Sequence, residues 1–149
     1  MQKATKEKLT QLYIATFDRV PDSAGVDYWL DSGMSLEEIA QSFFDQEETK
    51  ELYSDMNNEE FISRIYENVL ERKADSEGLS YWKEQLDSGA VDRDTFILAI
   101  INGAQEHPED AKIIDYKEEV GLYYLDAGLN DAVLAKELIA NLPVYNPGQ

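Results

Sequence analysis

The sequence predicts an all-α fold, a single globular domain of seven to nine helices. Three features predict it: a long internal repeat, apolar residues spaced at helical intervals, and no run with the β-branched alternation of a strand. The segment Leu12-Tyr13 to Tyr28-Trp29 returns as Ile65-Tyr66 to Tyr81-Trp82, with Arg, Asp-Ser-x-Gly and Tyr-Trp in the same order. Leu30-Asp31-Ser32-Gly33 then returns as Leu86-Asp87-Ser88-Gly89, so the second copy carries about one extra helical turn. A partial third echo begins at Tyr123-Tyr124-Leu125-Asp126. The expected organisation is one domain over 1–141, with repeats at about 9–57 and 58–107 and a partial unit at 108–141. Residues 142–149, with Pro143 and Pro147, read as a tail or linker.

Each element has its own signal. A first helix is expected over 5–18, with Leu9, Leu12, Tyr13 and Phe17 on one face. Asp22 opens a second over 23–32, and Gly33 closes it as a left-handed C′ residue. Ser35-Leu36-Glu37-Glu38 is a capping box for a third over 36–54, carrying Ile39, Phe43 and Phe44. Asn57 or Asn58 caps 58–72, whose stripe is Phe61, Ile62, Ile65, Tyr66, Val69 and Leu70. Asp75 opens 76–88, and Leu79, Trp82, Gln85 and Leu86 share a face before Gly89. Asp92 caps 92–104, which carries Phe96, Ile97, Ile100 and Ile101. Pro108 lies near the first position of a helix over 109–126, beside the lone His107, read as a surface cap residue. Gly128 and Asp131 separate it from a last helix over 130–141.

Composition narrows the function. The 149 residues carry 13 Lys and Arg against 31 Asp and Glu, a net charge of −18. Neutralising phosphates needs clustered cations, so nucleic acid is not an expected partner, nor is an anionic membrane. No apolar run approaches the ~20 residues of a membrane span. Without cysteine there is no disulfide, zinc-thiolate or thiol nucleophile. No nucleophile-elbow, zinc-helix or phosphate-loop motif occurs. The first residues lack the apolar core of a signal peptide, which fits a cytoplasmic chain or a domain cut from a longer one.

The repeated motif is Tyr-x-x-x-[Phe/Leu]-x-Arg-x-x-Asp-Ser-x-Gly-x-x-Tyr-Trp. Its structural reading makes Asp22 and Asp75 N-caps and Gly25 and Gly78 points of close helix approach. Arg19 and Arg72 then fork onto those Asp residues or onto turn carbonyls, and Trp29 and Trp82 pack in the core. Its functional reading gathers Asp18, Asp22 and Asp27 as oxygen ligands for Ca²⁺ in the first copy only. Tyr28 and Tyr81 are the candidates for stacking a ligand such as a sugar. Glu47-Glu48, Glu118-Glu119 and Asp92/Asp94 are carboxylate pairs, the raw material of glycoside hydrolysis if opposed in a cleft.

The motif resembles a bacterial helical domain of unknown function found in S-layer proteins, haemolysin-type calcium-binding secreted proteins and related surface proteins. Leu12-Tyr13, Phe17, Arg19, Pro21-Asp22, Gly25, Tyr28-Trp29 and Gly33 carry the resemblance. So do Tyr66, Leu70, Arg72, Asp75, Gly78, Tyr81-Trp82, Leu86 and Gly89. Ala74 stands where the pattern favours Pro. A more distant likeness is to phycobilisome linker domains, which are typically basic. The resemblance implies an all-helical module on a secreted or surface protein and no catalytic residue. The expected function is therefore a non-catalytic structural or interaction module, partnered by a protein or a cell-surface glycan and needing no cofactor. The alternative is a Ca²⁺- or glycan-binding domain, and a carboxylate-dependent hydrolase is a third reading.

Overall fold

The computed structural model describes residues 2–127. Eight helices follow in order: α1 (Lys6–Phe17), α2 (Ser23–Asp31), α3 (Leu36–Phe43), α4 (Glu47–Tyr53), α5 (Asn58–Leu70), α6 (Ser76–Asp87), α7 (Arg93–Ala104) and α8 (Pro108–Asp126). The expected all-helical class is the one observed. Among the described residues the only pairing of extended backbone is an isolated antiparallel bridge, Lys3 to Ser35. The helix expected over 130–141, Gly128, Asp131 and the tail lie outside the described residues.

Side-chain caps start most of these helices. Thr5, Asp22, Ser35, Asn57 and Asp75 each accept a hydrogen bond from a first-turn N–H, satisfying donors that a helix start leaves open. Ser35 with Glu38 and Asn57 with Glu60 form reciprocal capping boxes. Gly33 and Gly89 sit just past α2 and α6 at φ of 75° and 80°, where a side chain would be strained.

The four helices α1–α4 correspond in order to α5–α8. Asp18 and Glu71, 53 residues apart, end α1 and α5 at φ of 53° and 55°. They are the described non-glycine residues with positive φ. The unit grows in its second copy: α6 has 12 residues against 9 in α2, and α8 has 19 against 7 in α4.

The segment 36–54 is two helices, not one. After Phe43 the bonds tighten: Asp45 N–H donates to Ser42 O at 3.1 Å and Gln46 N–H to Phe43 O at 3.2 Å. Gln46 is then extended, at φ −88° and ψ 151°. The Thr49 hydroxyl lies within hydrogen-bond reach of the Phe43 and Gln46 carbonyls, and Lys50 N–H takes the Gln46 carbonyl at 3.2 Å as α4 begins. The break lets α4 turn its Tyr53 into the core. No Gly or Pro marks the spot, and the apolar period runs straight through Phe43-Phe44.

The first helix also departs from its expected single stripe. Every residue from Leu9 to Phe17 is buried, including Thr10, Gln11 and Thr16. The reason is that α5, α7 and α8 of the second unit pack against α1 in addition to α2, α3 and α4 of its own. Gly121 makes the α8 crossing close: a Cβ there would lie 2.5 Å from Thr10 Cγ2. Around α1 runs a chain of aromatic contacts through Tyr13, Phe17, Phe43 and Trp29, and a second joins Tyr53, Phe61, Phe96 and Trp82.

Candidate functional site

The repeated motif folds into one local device, built twice, at the turn between the first and second helix of each unit. Asp22 accepts from Gly25 N–H at 2.6 Å and Asp75 from Gly78 N–H at 2.7 Å. The carboxylates thus sit at the positive ends of α2 and α6. A Cβ on Gly25 would meet Asp22 Oδ1 at 2.9 Å and the Tyr13 hydroxyl at 3.0 Å. On Gly78 it would meet Asp75 Oδ1 at 3.0 Å and the Tyr66 hydroxyl at 3.3 Å. Crowding, not backbone angle, favours glycine at these positions: a Cβ would push on the capping carboxylate and the tyrosine hydroxyl.

That space admits a tyrosine–tryptophan pair. Trp29 Nε1–H donates to Tyr13 Oη at 3.0 Å. In the second unit Trp82 is the neighbour of Tyr66. Burial pushes both phenols above the ordinary tyrosine pKa, although the nearby indole and arginine oppose it. Trp29 is buried against Phe43, while Trp82 is partly buried against Phe96.

The arginines, just past the first helix of each unit, tie the device to the fourth helix. Arg19 binds Glu48 of α4 through two nitrogens, at 3.0 and 3.3 Å, and lies over the Tyr13 and Phe17 rings. Arg72 binds Asp110 of α8 at 3.1 and 3.3 Å and lies over Tyr66. Each also donates to the carbonyl of the next residue, Val20 or Lys73. The carboxylate partner is therefore not the motif's own Asp, whose oxygen is held by its glycine N–H. Glu48 is the second residue of α4 and Asp110 the third of α8. A shorter acid one position later makes the same bidentate contact.

Tyr28 and Tyr81 point outward, 66% and 55% exposed, each with its ring centroid 4.9 Å from the adjacent indole. The third echo repeats only this alternation: Tyr123 is 73% exposed and Tyr124 1% exposed, within the unbroken α8.

The Ca²⁺ candidates are not gathered. Asp22 caps α2, Asp18 is the left-handed end of α1, and Asp27 is exposed on α2. No group of three His, Cys, Asp or Glu among the described residues is placed to hold a metal ion. Of the carboxylate pairs, Glu48 is bound to Arg19. Glu118 accepts from Gln11 Nε2 at 2.7 Å and is pushed up by burial and by the charges of Asp115, Glu7 and Glu119. Burial also pushes up Asp94, with Asp92 and Asp45 adding to it.

Sequence reasoning missed Glu48 and Asp110 as the partners of the arginines, and two further linkers. Among the described residues Arg93 has no acidic partner; it donates to the Tyr53 and Met56 carbonyls at 2.8 and 2.7 Å and lies over Phe61. Burial lowers its pKa. Lys117 is buried in α8 and reaches Asn68 of α5. Only the Arg–acid pairing left a trace, an acid in the first turn of each fourth helix.

Among the described residues, no helix is long and apolar enough to cross a membrane. The family described as a domain of unknown function (DUF4214) matches residues 40–107, 68 of 149. The chain is similar to that family from the middle of α3 through the second Tyr-Trp helix to the cap of α8. No curated protein and no solved structure matches the chain.

Proposed function

We propose that this chain is a non-catalytic interaction module of a bacterial secreted or cell-surface protein. The observation that carries the reading is the duplicated device. Each Asp is bonded to its Gly N–H, each Arg to an acid of the fourth helix, and Trp29 to the buried Tyr13, which leaves one exposed tyrosine per unit facing water. Groups engaged in this way position a surface and do not offer an acid, base or nucleophile. The match over 40–107 to a domain of unknown function is compatible with a module reused in different proteins. The surface setting rests on the sequence resemblance.

Two measurements test it. Antibody labelling of intact source cells is expected to reach the domain or its culture supernatant; labelling only after lysis sinks the surface assignment. Purified protein is expected to leave polysaccharides and aryl esters unchanged. Turnover that survives repurification and is lost in a carboxylate variant overturns the non-catalytic reading.

A further inference from the structure

We draw no further inference here: the strongest candidate, the open groove of about 540 Å³ between Met56 and Glu67 on α5 and the turn before it, is walled by that one segment alone, and nothing among the described residues shows what covers it.

Discussion

Lys117 Nζ donates to the Asn68 carbonyl at 2.6 Å, while the Asn68 side-chain amide donates to the Ala15 carbonyl at 3.0 Å. Ala15 and Asn68 are equivalent positions, 53 residues apart, near the C-terminal ends of α1 and α5. Each unit's first helix thus has a late carbonyl closed by a side chain from a helix that follows it. The Lys117 charge sits at the negative end of α5 and also meets Glu71, at 2.5 Å.

Removing that cation leaves the Asn68 carbonyl without its buried donor. Lys117→Met keeps the apolar stem and is expected to cost about 1–3 kcal/mol. The mostly exposed Glu71 rehydrates, so its share of the loss is small. Urea unfolding should show a lower midpoint at unchanged slope; an unchanged midpoint would mean that the bond contributes nothing net.

Two glycines in helices should respond oppositely to the same change. Gly121→Ala drives a methyl into Thr10 of α1 and is expected to cost about 1–3 kcal/mol. Gly103 of α7 has nothing within 4 Å of the position a Cβ would take. Gly103→Ala is therefore expected to add about 0.4–1 kcal/mol by restricting the unfolded chain. Thermal melts of the pair check the sign; equal effects would contradict the close α1–α8 approach.

The two arginine clasps should differ. Arg72→Met strands Asp110, whose side chain is 12% exposed, at an expected cost of about 1–3 kcal/mol. Arg19→Met releases Glu48, 39% exposed, which water resolvates, so the lost ion pair costs about 0–1 kcal/mol. Double-mutant cycles against Glu48→Gln and Asp110→Asn separate pairing from packing. A larger coupling at Arg19 would reverse the ranking.

Glu118 carries a pH signature. Its folded pKa lies above the unfolded one because burial disfavours its charge, so ionisation penalises the native state. The penalty is absent below the unfolded pKa and complete above the folded one. Glu118→Gln is thus expected to raise stability at pH 7 while keeping a partner for Gln11. Its advantage should shrink as pH falls through the carboxylate range, ~4–5. Melting temperatures across that range read this directly, and a pH-independent difference would count against it.

Divalent ions are expected to act on the chain only through its charge. Salt should raise the melting temperature by screening a net charge of −18. Ca²⁺ and Mg²⁺ at equal ionic strength should raise it alike, since Asp18, Asp22 and Asp27 are not gathered as a ligand set. A Ca²⁺-specific rise that is lost in Asp22→Ala would restore the calcium reading.

Much of the architecture was legible because it is local. A cap, a terminal glycine and a 3.6-residue period act within one turn, so Asp22, Ser35, Asn57 and Gly33 could be placed from neighbours in the chain. The break at Phe44–Gln46 was not legible, because no helix breaker marks it and the Thr49 hydroxyl that meets the Phe43 and Gln46 carbonyls there is an ordinary helix residue in the sequence. Nor could Gly121 be read, since its meaning depends on a helix more than a hundred residues earlier.

By itself the sequence determined the duplicated helical unit, its turns and the two outward tyrosines, all set by short-range capping and periodicity. Only the tertiary structure decided that α1 is enclosed from Leu9 to Phe17, that Glu48 and Asp110 receive the arginines, and that the acidic turn residues stay apart. Those outcomes depend on how α4 and α8 return to the first helices. The packing of long-separated surfaces governs that return, and no local signal encodes it.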